Sequence, residues 1–327
     1  MSDARIGLVL GAGGVAGVAF HSGVLAALAE ELGWDPRRAE LVVGTSAGSV
    51  TAAGLRAGVS AADLLARATS GSLSAEGAAI MSRSDAAVTT RLSPPPARLP
   101  TGWPAAPAVV LAAGRRPWRV RPGAVVAGLM PPGAVPTAAI AEGVEALFPA
   151  GWPGRATWIC AVRLDTGRLT VFGRTGAPPA PMGQAVAASC AIPGYFAPVP
   201  IDGARYVDGG AHSLTNLAKV RSEGLDLVVV SAPMARAGAR RPGLGAVARD
   251  AMRLQLALEA GRVRRGGTPV IAFAPTPEDQ RAMGRNPMDP ACQAPVAEQA
   301  RRSTLRRLER PDVRRRLAPL LHAGSER

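Results

Sequence analysis

The chain has 327 residues, of which 47% are apolar and 19% charged. That is enough for one large or two modest domains and excludes disorder throughout. Its 38 basic residues exceed 24 acidic ones to give +14, with Lys219 the only lysine; a GC-rich coding sequence accounts for so much arginine, and attraction to anionic membranes, phosphorylated substrates or nucleic acid is the functional alternative.

Ile6 to Leu10 is a continuous apolar run, as a strand buried on both faces requires. It breaks into Gly11-Ala12-Gly13-Gly14-Val15-Ala16-Gly17, and a helix is expected from Val18 to Leu32, where Val24, Leu25 and Leu28 recur at helical spacing. Leu41 to Val43 forms a second buried strand that enters Gly44-Thr45-Ser46-Ala47-Gly48 and an apolar helix through Leu55. Thr157 to Arg163 and Arg168 to Phe172, joined by Asp165-Thr166-Gly167, read as a hairpin. Further strands are expected at Arg205 to Val207, Leu225 to Val230 and Pro269 to Ala274, with a helix from Ala246 to Val263 between the last two. Strands alternating with helices predict a three-layer α/β/α fold with a mostly parallel central sheet.

Two stretches stand apart. Residues 83–136 are rich in Pro and Ala, with Pro94-Pro95-Pro96 and Pro131-Pro132, and read as a cap over the site or a surface loop. From residue 276 onwards the chain is polar and then arginine-rich: residues 301–327 hold nine arginines and three acids. Leu305, Leu308, Leu317, Leu320 and Leu321 give that segment an apolar stripe, consistent with a packed helix whose basic face meets either solvent or a membrane. The expected organisation is a domain over 5–275, with the insert at 83–136, and a basic helical segment over 276–327.

Cys160, Cys190 and Cys292 are too few and too separated for a disulfide framework or a zinc cluster. Cys190 reads as a small core residue. The apolar runs are too short for a signal sequence or a membrane span. The expectation is a soluble cytoplasmic chain.

Gly44-Thr45-Ser46-Ala47-Gly48 fits Gly-x-Ser-x-Gly between a strand and a helix, the context of a nucleophile elbow. Gly44 and Gly48 allow the sharp turn and close backbone approach, and Ser46 projects at a helix N-terminus, where the dipole favours negative charge. A plain Gly/Ser turn capping a helix has the same letters. The hydroxyl needs a base; the histidines are His21, His212 and His322, and a triad of Ser46, Asp208 and His212 or His322 can be drawn in chain order. The glycine loop offers amides to an oxyanion. It also satisfies the dinucleotide pattern at Gly11, Gly13 and Ala16. That reading requires an acid at the end of the second strand, whereas Glu40 stands before it. Val207-Asp208-Gly209-Gly210 follows a short strand and is either a turn or the source of the base.

Together, residues 8–28, 42–50, 187–199 and 206–210 resemble the patatin-like phospholipase family. The resemblance implies a fold related to the α/β-hydrolases and a Ser–Asp dyad without catalytic histidine. Ser46 would be the nucleophile and Asp208, followed by Gly209 and Gly210, the proton acceptor. The loop of Gly11, Gly13, Gly14 and Gly17 would supply the oxyanion hole, with Gly13 and Gly14 as the donors. The implied reaction is hydrolysis of lipid carboxylic esters through an acyl-enzyme, without metal or organic cofactor. The substrate would be a phospholipid or acylglycerol, with peripheral contact to an anionic membrane and no nucleic acid. The family's glycine loop usually reads Gly-Gly-Gly-x-Arg-Gly; Ala12 and Ala16 replace a glycine and the arginine. A weakened lipid- or acyl-carrier-binding protein on the same fold is the alternative. Tyr195 and Phe196 are expected to border the acyl pocket.

Overall fold

The computed structural model describes residues 4–89, 102–115, 121–235 and 244–322; Pro94 to Pro96 of the insert and the tail beyond His322 lie outside them. The strands are β1 (Ile6–Leu10), β2 (Leu41–Thr45), β3 (Ala156–Arg163), β4 (Arg168–Phe172), β5 (Val199–Ile201), β6 (Ala204–Asp208), β7 (Leu227–Ser231) and β8 (Val270–Phe273). They form one sheet ordered β5-β6-β3-β2-β1-β7-β8, with β4 beside β3. β8, β7, β1, β2 and β3 run parallel, and β4, β5 and β6 add antiparallel pairs.

In the first half the helices are α1 (Gly14–Leu32), α2 (Ala47–Arg56), α3 (Ala61–Ala68), α4 (Ala75–Ala87), α5 (Pro107–Arg115), α6 (Pro122–Leu129) and α7 (Ala138–Glu145). There follow α8 (Met182–Ser189), α9 (Leu244–Arg265), α10 (Pro277–Met283), α11 (Gln293–Leu308), α12 (Pro311–Arg316) and α13 (Ala318–His322). The strand period of two divides the core. Leu8, Val42, Ile159, Val229 and Ile271 face a cluster with α1, α2, α8 and α11. Val9, Val43, Cys160, Val228 and Val230 face the opposite side, covered by α9 and the turn at Leu217–Val220. This two-sided burial makes the central strands continuously apolar.

Helix α1 is long and apolar enough to cross a membrane by length and composition, but 72% of its most apolar window is buried. It lies between the sheet and α11, and Gly23 is where α11 comes closest: a side chain there would overlap the Ala297 carbonyl. The helix starts four residues earlier than its apolar spacing predicts, so Gly14 and Gly17 are helical. The insert is also more ordered than its composition predicts. It contains α5 and α6, which pack through Val109, Ala124 and Ala127 onto Val162 and Val207 of the sheet.

The C-terminal arginines are largely engaged within the fold. β8 is an edge strand whose Val270 and Ala272 carbonyls point away from β7. Arg264 and Arg316 donate to Val270 O at 2.9 and 2.8 Å, and Arg307 donates to Ala272 O at 2.6 Å. Arg307 also stacks over the Phe273 ring, 4.7 Å from its centroid. Arg301 and Arg314 pair with Glu30 and Glu31 of α1. These contacts block an edge that would otherwise offer free carbonyls to another strand. Arg307→Ala is expected to lower stability by about 1–2 kcal/mol, read from the urea midpoint, while Arg306→Ala, exposed on the same helix, shifts it by under about 0.5 kcal/mol. Equal midpoints would refute the edge role.

Candidate active site

Strand β3 brings the two ends of the site together. Cys160 pairs with Thr45 of β2 on one edge and Val171 of β4 on the other; the next residue, Ala161, pairs with Asp208 of β6 and Thr170 of β4. β2 and β6 therefore share one edge of β3 and run towards each other, so their C-terminal ends meet head-on. Ser46 follows the end of β2, and Asp208 ends β6. Ser189 fills the junction. Its hydroxyl donates to Cys160 O at 2.7 Å and accepts the Ser46 amide at 2.9 Å.

Ser46 has φ 53° and ψ −121°, a backbone conformation that L-residues rarely occupy and that costs on the order of 1–3 kcal/mol. The surroundings hold it there. Ser49 Oγ donates to Ser46 O at 2.6 Å, and the Gly48 amide donates to Gly11 O at 3.2 Å. A side chain at Gly48 would overlap the Leu10 carbonyl, and one at Gly44 would come within 2.5 Å of Ser49 Cα. The elbow thus packs directly on the end of β1.

Asp208 lines the cavity beside Ser46, close enough for the hydroxyl to favour its charged form, and accepts a hydrogen bond from the Gly210 amide at 2.7 Å. Burial pushes its carboxyl up to about 6, against the opposing pull of the Ser46 hydroxyl and the Gly210 amide. Gly209 lies against Cys160, whose carbonyl a side chain at that position would overlap.

The glycine loop divides into bonded and unbonded amides. Gly11 donates to Ser231 O, Ala12 to Leu214 O, Ala16 to Pro287 O and Gly17 to Gly13 O, at 2.7–2.9 Å. Among the described residues the Gly13 and Gly14 amides have no acceptor, and both residues line the cavity that holds Ser46 and Asp208. They also open α1, whose dipole favours anions at this end. A Cβ at Gly13 would stand 2.6 Å from Gly17 Cα and 2.9 Å from Pro233 Cβ, so this approach requires glycine. Gly17 packs against Ala47. Gly11 and Gly17, expected with the donors, position the loop, because their own amides are already bonded.

None of the described histidine contacts reaches Ser46. His21 is fully buried, with Nε2 2.8 Å from Gly11 O and Nδ1 2.8 Å from Ser231 Oγ. A carbonyl only accepts, so Nε2 carries the proton and Nδ1 accepts from the Ser231 hydroxyl. Desolvation lowers its pKa to about 4, which keeps the ring neutral. His21 therefore ties the glycine loop to the end of β7. His212 bonds Asn216 Oδ1 at 2.9 Å, and His322 ends α13, its side chain outside the described residues. Asn216, which the sequence reading missed together with Ser189, donates through Nδ2 to Thr45 Oγ1 at 3.1 Å and Ser213 O at 2.9 Å. Asn216 has a left-handed φ of 52°, and its local sequence carries no signal of this role.

The cavity has a volume of about 430 Å³ and walls that are almost wholly apolar. Val126, Ala127 and Met130 of the insert close one side, with Ile192, Leu214, Met234 and Met288 on others. Residues of the insert thus form part of the cavity wall. Tyr195 and Phe196 do not line the cavity as expected; they pack with Val135 and Ala191, and Ile192 and Pro193 take that place. Cys190 is buried beside Ser49, its thiol pushed up to about 12 by desolvation. Among the described residues no three His, Cys, Asp or Glu side chains gather into a metal-binding group.

An acid whose pKa burial raises from 3.8 to about 6 stabilises the fold below pH 3.8, and that contribution is lost as pH rises through 6. Asp208→Asn removes the buried charge. The variant is expected to be more stable than wild type at pH 8 by on the order of 1–3 kcal/mol, and to lose that advantage by about pH 4. Thermal melts at the two pH values check this, and a variant less stable at pH 8 would contradict it.

The model of the family described as patatin-like phospholipase matches residues 8–218, which span both ends of the site. No curated protein matches the chain. Among solved structures, VipD from Legionella pneumophila aligns over 94% of this chain and 67% of its own, at 16% identity and a TM-score of 0.43. With the Patatin model covering most of the chain from β1 to beyond the Asp-Gly-Gly turn, the protein belongs to the patatin-like phospholipase family.

Proposed function

We propose that this lipid hydrolase of the patatin-like family is a serine esterase in which Ser46 and Asp208 act as a two-residue device through an acyl-enzyme. The observation that carries the proposal is that Ser46 and a buried Asp208 carboxylate line one cavity side by side, together with Gly13 and Gly14, whose amides have no acceptor among the described residues. In the first step Ser46 Oγ attacks the ester carbonyl carbon and its proton passes to Asp208. The carbonyl oxygen becomes an oxyanion, and the Gly13 and Gly14 amides and the positive end of α1 stabilise it. On collapse the alcohol leaves with the proton from Asp208, and the acyl group remains on Ser46. Asp208 then takes a proton from water, the resulting hydroxide attacks the acyl carbon, and Ser46 recovers its proton as the fatty acid departs.

Three features support this reading over a histidine-based one. The buried carboxylate, pushed up to about 6, is a stronger base than an exposed one and is still ionised at neutral pH. His21 and His212 are engaged elsewhere. The cavity walls suit an acyl chain, so the substrate proposed is a phospholipid or acylglycerol ester at a membrane.

Turnover of p-nitrophenyl esters tests the device. Ser46→Ala is expected to reduce kcat to background, and Asp208→Asn to reduce it by about 10²–10⁴-fold. In wild type, kcat/KM should rise with pH through about 6, because the base works only when ionised. A rate that is flat through this range, or an active Ser46→Ala variant, would overturn the proposal.

A further inference from the structure

Most of the large apolar side chains exposed among the described residues belong to elements that cover one sheet face. Trp103 precedes α5, Leu111 lies on α5, Val126 and Leu129 on α6, and Leu254 and Leu258 on α9; only Val88 and Leu321 lie elsewhere. The α5–α6 pair packs on Val162 and Val207, continuous with the sheet face that α9 covers. The two coverings are joined: a side chain at Gly123 of α6 would overlap the Ala211 carbonyl, and Gln255 of α9 donates to His212 O at 3.3 Å.

Both insert helices lack the polar side that a solvated surface helix carries. No charged or hydrogen-bonding side chain occurs from Pro107 to Gly114 or from Pro122 to Met130. Yet Leu111, Val126 and Leu129 are 59%, 55% and 49% exposed, and Trp103 is 88% exposed. Apolar helices in a chain of net charge +14, with the exposed Arg121 at the start of α6, match an anionic interface, where leucines enter the acyl region and guanidinium groups meet headgroups. Val126 both lines the Ser46 cavity and reaches the outside. The exposed apolar surface is therefore continuous with the cavity wall.

We infer that the packed α5–α6 pair, extended by the Leu254 and Leu258 face of α9, docks on an anionic lipid bilayer and opens the cavity directly to its acyl chains. The purpose of this docking rests on the hydrolase reading above. The docking itself does not need catalysis, so it is measured separately. The C-terminal arginines are not its basis, since Arg301, Arg307, Arg314 and Arg316 are engaged within the fold.

The test is co-sedimentation of the full chain with vesicles of phosphatidylglycerol and phosphatidylcholine, beside vesicles of phosphatidylcholine alone. Wild type is expected to bind the mixed vesicles more tightly, with binding weakened by salt. The double variant Leu111→Glu/Leu129→Glu should lose about tenfold to 100-fold in partitioning, and Leu254→Glu/Leu258→Glu should also bind less. The exposed Leu321→Glu is the control and should bind as wild type does; thermal melts confirm that each variant is folded. Docking is overturned if wild type binds neither vesicle or if the α5–α6 variant binds as wild type does. It is also overturned if the α5–α6 substitutions only convert a dimer to a monomer in size-exclusion chromatography, since the face would then meet a second copy. Turnover of a water-soluble ester on the same samples reports the hydrolase reading independently. A protein that sediments without turnover keeps docking and loses that reading; one with turnover that never sediments does the reverse.

Discussion

The structure depends on the sharing of one edge of β3 by two strands that run in opposite directions. β2 pairs there through Cys160 and β6 begins at Ala161. Two strands in a line on one edge leave a gap where their ends meet, and backbone groups at such a gap need partners. Ser189 satisfies two of them, the Cys160 carbonyl and the Ser46 amide. Because both strands end at the gap, the side chains that follow are directed into one small volume. Ser46 and Asp208 are 162 positions apart in sequence by their numbers, yet their meeting requires no long side-chain reach.

Close backbone approach governs the rest of the site. The elbow rests on the last residue of β1, where only glycine fits at position 48, and the loop after β1 turns into α1 with only glycine fitting at position 13. Around these contacts, buried polar groups specify the position of each strand end. His21 links Gly11 to Ser231, and Asn216 links Thr45 to the turn after β6. Buried groups of this kind must be satisfied, which makes alternative loop positions costly. The neighbouring amides are bonded inside the fold, while Gly13 and Gly14, whose amides have no acceptor among the described residues, line the cavity.

Much of this was legible in the sequence because its signals are local. Ile6 to Leu10 and Leu41 to Val43 are buried on both faces and read as central strands; Gly-x-Ser-x-Gly and Asp-Gly-Gly mark turns at strand ends. The start of α1 was misplaced because glycines at 14 and 17 depress helix propensity, while tertiary packing requires them there. The insert looked unstructured because prolines and alanines carry little periodicity, but α5 and α6 gain their order from Val162 and Val207. Ser189 and Asn216 were not legible, since their roles exist only when β2, β3 and β6 are assembled. The arginine-rich C-terminal segment could be read as solvated or membrane-facing. That two of its guanidinium groups, those of Arg307 and Arg316, cap the β8 edge depends on a strand order that no local pattern reveals.

Backbone contacts and buried hydrogen bonds hold Ser46 and Asp208 at the strand ends, and the apolar surface of α6 continues into their cavity. In the proposed mechanism Asp208 activates Ser46. The most direct test is the rate of phosphonylation by a fluorophosphonate probe, with the modified residue located by peptide mass spectrometry. The account predicts modification at Ser46, at a rate that rises with pH through about 6 and falls sharply in Asp208→Asn. Modification at another residue, or a Ser46 rate unchanged in folded Asp208→Asn protein, would contradict it.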